Sequence, residues 1–360
     1  MAEARTTETV DVGLIGFGLA GRAFHAQVIH AVPGMRLAAI LQRQGNEAAE
    51  AYPGAKVVRS LDELLALDNI KLIVIATPNE THFPLAKRCL EAGRDVVVDK
   101  PFTTSLDEAK ELVRIAREHK RFLTVYQNRR YDGDFQTIAN LLPTNVLGRV
   151  VRFESSYDRY RPLLKPNAWR EQAVPGAGIL FDIAPHLLDH AFTLFGIPEA
   201  IAADVRTERE GALADDAFDI FLHYPNELRA ALQSSILAVT PRPRFLIFGT
   251  RGSYRKQSFD PTENNLRFGK IPESGPWGAE PEEDWGVLSV AGENGAVTER
   301  RLPNTVCDYR DFYANARDVI LGKAQPLVTT DWALDIMRAL ELCRQSSLER
   351  RTIAWPGAFA

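Results

Sequence analysis

Cysteine is scarce in this sequence: three in 360 residues, at Cys89, Cys307 and Cys343. They are odd in number, far apart and in no metal-ligand spacing. That excludes a disulfide framework and a cysteine metal site, and leaves three buried thiols in a reducing cytoplasm as the expectation. Long apolar runs are also missing: none approaches the ~20 residues of a membrane helix, and Met1 to Thr9 is polar, without a signal core. Nor is positive charge in excess. Lys and Arg number 43 against 47 Asp and Glu, a net charge of −4, which argues against a general nucleic-acid binder and leaves room only for a local basic cleft. The H-E-x-x-H pattern is absent, since Leu187 follows His186, so no metal is expected.

What is present begins with glycine. Val12 to Ile15 reads as a buried strand, Gly16-Phe17-Gly18-Leu19-Ala20-Gly21 follows, and Arg22 to Ile29 reads as a helix. Strand, G-x-G-x-x-G and helix make the dinucleotide-binding context: glycines for a tight turn and close approach, a helix N-terminus for the pyrophosphate. Further strands are expected at Arg36 to Leu41, Lys71 to Ala76, Asp95 to Val98 and Phe122 to Tyr126. Helices alternate with them, two opened by capping boxes, Ser60 with Glu63 and Ser105 with Glu108. This predicts a doubly wound parallel α/β sheet over residues 1–126. In such sheets ligands lie beyond the carboxyl ends of the strands. Those ends carry the glycine loop, Gln42-Arg43, Thr77-Pro78-Asn79, Asp99-Lys100-Pro101 and Gln127 to Arg130. After the second strand no carboxylate stands ready for a ribose 2′-hydroxyl. Arg43 stands there instead, suited to a 2′-phosphate, so NADP(H) is expected over NAD(H), which stays possible.

Over residues 127–360 the alternation breaks down. Strands are expected at Val150 to Tyr157, Ala200 to Thr207, Ala217 to Tyr224, Leu228 to Leu237 and Phe245 to Gly249. A turn at Pro225-Asn226-Glu227 and a tight Asn294-Gly295 hairpin within Val287 to Arg301 imply an antiparallel sheet in an α+β domain. Ser258 to Asp284 reads as a loop, and Asp308 to Leu321 and Asp331 to Ser347 as core helices. One helix stands apart, from Ile179 to near Gly196. Asp182, His186 and His190 are spaced i, i+4, i+8 along one face of it. Such groups are costly to bury on an apolar helix without a purpose. Pro185 should kink or interrupt it. A polar cluster that only satisfies itself is the alternative.

These residues resemble the glucose–fructose oxidoreductase/inositol dehydrogenase family (Gfo/Idh/MocA) over nearly the whole chain. The resemblance rests on the glycine loop, Thr77-Pro78 with His82, Asp99-Lys100-Pro101 where the family has Glu-Lys-Pro, Trp169-Arg170, and Asp182-x-x-x-His186-x-x-Asp189. The blocks Gln127 to Phe135 and Tyr157 to Pro162 look like the branch with NADP-dependent scyllo-inositol 2-dehydrogenases. The resemblance implies Lys100, Asp182 and His186 as catalytic residues. It implies Gly16 to Gly21, Gln42, Arg43, Thr77, Pro78, Asn79, His82 and Lys100 around the cofactor. Arg129, Arg130, Tyr160, Arg161, Trp169 and Arg170 are expected near the substrate, some in contact with it and some structural.

The expected activity is hydride transfer between nicotinamide and a secondary alcohol or ketone of a polyol, an inositol or a sugar. His186 would be the base, since an unperturbed imidazole titrates at ~6.5. The alternatives are a nucleotide-binding regulator without turnover and an NAD-dependent glycosidase. In Ala217 to Tyr224 the side opposite Phe218, Ile220, Leu222 and Tyr224 still offers Ala217 and Phe221. That leaves a sheet face to cover, and a homodimer or homotetramer is expected.

Overall fold

The structure, a computed structural model, describes residues 8–165, 168–269, 277–306 and 308–357. Cys307, residues 1–7 of the polar N-terminus and 270–276 of the expected loop lie outside these. The chain forms two compact units. The first comprises Met1–Asn128, Glu263–Glu273 and Tyr309–Leu334, the second Arg129–Thr262, Ser274–Asp308 and Asp335–Ala360. The expected boundary at 126/127 lies two residues before the first switch. The single second domain over 127–360 needs correction, because two later segments return to the first unit.

The first unit is built on six parallel strands: β1 (Val10–Ile15), β2 (Met35–Leu41), β3 (Lys56–Val58), β4 (Leu72–Ile75), β5 (Asp95–Val98) and β6 (Leu123–Val125). Their order is β3-β2-β1-β4-β5-β6, the doubly wound arrangement with its switch at β1 and β4. β1, β4 and the apolar part of β5 are buried residue after residue. That is why they read as continuous apolar runs rather than as alternation.

The helices of this unit are α1 (Gln27–His30), α2 (Glu47–Ala51), α3 (Leu61–Leu65), α4 (His82–Glu91) and α5 (Leu106–Glu118). α1 is preceded by a wide-turn helical segment, Gly21–Ala26. Both expected N-caps are made: the Ser60 and Ser105 hydroxyls accept from the Glu63 and Glu108 N–H groups.

The second unit holds α6 (Gly133–Leu141), α7 (Ile179–Phe195) and a nine-stranded sheet. Its strands are β7 (Val150–Ser156), β8 (Ala200–Arg206), β9 (Ala217–His223), β10 (Arg229–Ser235), β11 (Phe245–Gly249), β12 (Gly252–Lys256), β13 (Gly286–Ala291), β14 (Val297–Leu302) and β15 (Ile353–Ala354). Neighbours pair antiparallel except β7 with β10, which run parallel. Asn226 and Glu227 both have positive φ, 57° and 61°, and the Leu228 N–H closes on the Pro225 carbonyl. This is the primed turn that suits the twist of a hairpin. The other hairpin is wider than its Asn-Gly pair suggests. Ala291 pairs with Val297, and Gly292 donates to the Ala296 carbonyl. The loop therefore spans five residues.

The remaining helices are α8 (Thr262–Arg267), α9 (Arg310–Ile320) and α10 (Thr330–Glu349). α8 lies within the stretch expected to be loop. No helix among the described residues is long and apolar enough to cross a membrane.

Candidate active site

At the carboxyl end of β1 the glycine loop is shaped by two steric constraints. Gly16 has φ +96°, and a Cβ there would lie 2.5 Å from the Ala76 carbonyl oxygen. A Cβ on Gly21 would meet the Gly16 carbonyl at 2.0 Å. Only glycine lets the helical segment start this close to the strand. Gly18 is different: nothing lies within 4 Å of its would-be Cβ, and it is exposed with Leu19. No protein atom explains that glycine, whereas a pyrophosphate approaching the backbone does. Phe17 is held edge-on against Tyr52 at 6.0 Å, and Ala20 is half-buried at the helix start.

The loop after β2 is built around its own side chains. The Gln42 carboxamide accepts from the Ala48 N–H at 2.9 Å and donates to Glu47. Arg59 donates to the carbonyls of Gln42 and Gly45 at 2.7 and 2.8 Å and to the Asn46 side chain at 3.1 Å. Arg43 is exposed and has no ion pair or side-chain hydrogen bond among the described residues. The chain fixes the loop with one arginine and leaves the other exposed without a side-chain partner among the described residues. Arg59 was not legible as a site residue, because its partners lie 13 to 17 positions away.

Beyond β4, Thr77 and Thr81 share a hydroxyl contact of 2.6 Å, and Thr81 donates to the Pro78 carbonyl at 2.6 Å. Pro78 is exposed and Asn79 buried. His82 departs from its expected place at the cofactor. It is fully buried, with Nδ1 2.8 Å from the Pro101 carbonyl and Nε2 3.0 Å from that of Thr77. Burial pushes its pKa down. With no exposed atom, His82 ties the loops after β4 and β5 together, while Pro78 stays exposed and Thr77 and Lys100 half-buried.

In the second unit α7 carries the acid–imidazole pair. Its N-terminus is capped from afar: the Asp215 main-chain carbonyl accepts from Ile179 N–H at 2.8 Å, and the Asp215 carboxylate from Leu180 N–H at 2.7 Å. The helix runs on through Pro185 to Phe195 without a break. The expected interruption therefore does not occur; Pro185 is buried with its helical neighbours, whose packing holds the helix through it. Asp182 is part-exposed, with Arg159 Nη1 at 3.5 Å and Arg170 Nε at 3.7 Å from its carboxylate. Asp182, Arg159, Arg170, Glu171 and Arg209 line one pocket. His186, one turn on, is buried but keeps some exposure.

Arg209, which the sequence reading missed, bridges Asp216 (3.0 Å), Glu171 (3.4 Å) and the carbonyls of Arg161 and Leu163 (3.4 and 3.3 Å). It braces the segment bearing Arg161, Trp169 and Arg170. Tyr160 and Arg161 are exposed, and the Arg170 guanidinium lies 4.5 Å from the Trp169 ring centroid. Arg159, inside the block quoted for the resemblance, is the residue that block hid.

Two residues expected near the substrate, Arg129 and Arg130, and the third residue of the polar face of α7, His190, act as braces. His190 is fully buried and stacked 4.2 Å from Phe135. Burial, then Arg244, pushes its pKa well down. Arg244 Nη2 reaches Nδ1 at 3.4 Å, so the proton sits on Nε2 and is donated to the Arg129 carbonyl at 3.0 Å. Arg129 is buried against Asp132 (3.0 Å) and the Tyr157 hydroxyl (2.9 Å). Arg130 grips Asp189 with two bonds of 2.8 and 2.7 Å. These two arginines fix α7 from behind and stand apart from the Asp182 pocket. No group of three metal-ligating side chains occurs among the described residues.

A doubly wound nucleotide domain, joined in one chain to an α+β domain that offers a carboxylate and an imidazole on one helix, is the build of a dinucleotide-dependent oxidoreductase. Residues 10–127 match the oxidoreductase family with NAD-binding Rossmann fold, and residues 135–255 match the GFO/IDH/MocA C-terminal domain; the chain belongs to this Gfo/Idh/MocA family. It is similar to the uncharacterized oxidoreductase YdgJ of Escherichia coli, 42% identical and covering 96% of this chain and 99% of that one. It is also similar to the scyllo-inositol 2-dehydrogenase (NADP(+)) IolW of Bacillus subtilis, 33% identical over 97% of both. Among solved structures, the Bacillus subtilis oxidoreductase yvaA superposes with a TM-score of 0.93 at 32% identity, covering 98% and 99% of the two chains.

Proposed function

We propose that this enzyme is an NADP(H)-dependent dehydrogenase for a secondary alcohol, or the matching ketone, of a polyol: an inositol of the scyllo type or a sugar. The observation that carries the reading is α7, where Asp182 and His186 share a face and two guanidiniums stand at the carboxylate. The activity printed for the Bacillus subtilis relative supports the substrate class. Arg43, exposed and unpaired on a braced loop, supports the 2′-phosphate.

Bound NADP(+) would supply the hydride acceptor. The chain handles the proton. The His186 imidazole takes it from the substrate hydroxyl, and Asp182 orients the ring and offsets its charge. Lys100 stabilises the oxygen as it gains negative charge. Arg159 and Arg170 stand at the Asp182 carboxylate and aim it, while Tyr160, Arg161 and Trp169 supply polar and ring contacts for a hydroxyl-rich substrate. A panel of inositols, inososes, glucose, galactose and short sugar aldehydes, run with NADP(+) and NADPH, tests this. Turnover is expected with at least one cyclic polyol. Release of a chromogenic aglycone without net cofactor reduction would contradict it.

A further inference from the structure

Two fully buried side chains in the first unit have no part in the chemistry above: His25, in the wide-turn segment after the glycine loop, and Tyr313, on α9. The Tyr313 hydroxyl lies 2.5 Å from His25 Nδ1. On the other side of the ring, His25 Nε2 lies 3.5 Å from Asp99 Oδ2. One proton arrangement serves both contacts: Tyr313 donates to Nδ1, which leaves the Nε2 proton on the side of the carboxylate, where 3.5 Å is an ion-pair contact longer than a formed hydrogen bond. The other Asp99 oxygen, Oδ1, accepts the Lys100 main-chain N–H at 2.8 Å. A row of groups thus runs from Tyr313 through His25 and Asp99 to Lys100.

We propose that His25 is a positioning residue for Lys100: its N–H keeps Asp99 an ionised, fixed carboxylate, and Asp99 sets the Lys100 main chain and balances its charge. This rests on the catalytic role proposed for Lys100. A largely buried carboxylate that loses a neighbouring N–H is less favoured in its charged form. Burial does push Asp99 up, but His25, with Lys100 and His82, outweighs it and holds the carboxyl below the usual range. Tyr313 is pushed well up, by burial and then by Asp99, and so stays a hydroxyl. Burial pushes His82 down. The Tyr126 ring flanks His25 at 4.4 Å, with its hydroxyl donating to the Phe24 carbonyl. His82, Lys100, Tyr313 and Tyr126 are therefore the titratable groups facing the pair.

The test is the pH profile of kcat. Because His25 lowers the Asp99 pKa, removing its N–H raises that pKa, and the low-pH limb moves to higher pH. His25→Leu is expected to lower kcat about tenfold, the scale of losing one close polar contact to a carboxylate. It should move that limb upward and leave NADPH affinity within about twofold. His25→Gln places an amide N–H near the position of Nε2 and should restore most of kcat and the limb. An unmoved limb and unchanged kcat in folded His25→Leu would overturn the proposal, and so would a folded His25→Gln as impaired as His25→Leu. If His25→Leu does not fold, Tyr313→Phe, which keeps the ring packing, must move the same limb the same way; an unmoved limb overturns the proposal. Lys100→Met, measured alongside, separates the two readings. If it leaves kcat intact, the role of Lys100 fails. If it abolishes turnover while His25→Leu changes nothing, only the positioning role fails.

Discussion

Arg43 and Arg59 lie on one loop and do opposite things: Arg59 spends its donors on three loop oxygens, and Arg43 spends none on the described residues. Arg43→Asp is expected to raise the KM for NADP(+) roughly ten- to hundredfold while that for NAD(+) changes little, read from initial rates with both cofactors. A wide preference for NAD(+) in the unsubstituted enzyme would contradict it. The thiols belong to this scale too. Burial pushes Cys89 up to about 12 and Cys343 higher still, so neither offers thiolate near neutral pH. Peptide mapping after brief native alkylation should find both unmodified, and both labelled once the chain is unfolded. Tyr157 is the reverse case. Burial raises its phenol, but Arg129, Arg159 and Arg244 outweigh that and bring it down to about 8. A folded pKa below the unfolded ~10 adds stability as pH rises from 8 towards 10, and loses it as pH falls through 8. Ultraviolet difference titration should show one tyrosine ionising near pH 8, absent in Tyr157→Phe.

α7 shows what an element's sequence reveals and what it conceals. Its extent was legible, because an apolar run starting after Gly178 and stopping at Gly196 marks both ends. Its polar face was legible from the i, i+4, i+8 spacing. The fate of each polar residue was not, since that depends on partners far along the chain. Asp182 meets Arg159 and Arg170, whereas His190 meets Arg129 and Arg244 and is thereby a brace. The cap was hidden for the same reason: Asp215 is 35 residues beyond the N–H it accepts from. Asp215→Ala leaves those donors short of a partner and is expected to cost about 1–2 kcal/mol of stability by denaturant unfolding, with kcat falling in parallel. Full stability would show that water replaces the carboxylate. α6 escaped the sequence reading: it begins at a glycine inside the block Gln127 to Phe135, which was read only for its resemblance. β3 is only three residues long, with an exposed lysine.

For the molecule as a whole, the class of each sheet was written in the alternation or its absence. Buried apolar runs separated by helices gave the parallel sheet, and turns between half-apolar strands gave the mixed one. The single parallel pairing in that sheet, β7 with β10, was not legible, because pattern and turns say nothing about pairing across 77 positions. Nor was the return of residues 263–273 and 309–334 to the first unit. Those helices show an apolar stripe in sequence, but not which core it joins. The outer face of the second sheet leaves Phe221 and Phe248 at 41% and 40% exposure, apolar area that self-association would cover. Light scattering at micromolar concentration is expected to give at least twice the chain mass, and a monomer would count against it.

All of this turns on which residue takes the proton. The most direct measurement is kcat of folded His186→Ala, saturated with NADP(+) and the best polyol of the panel, with NADPH affinity measured separately by fluorescence. The account predicts a fall of ~10²–10⁴ in kcat and little change in affinity. A folded, cofactor-saturated His186→Ala enzyme turning over near the unsubstituted rate would contradict it.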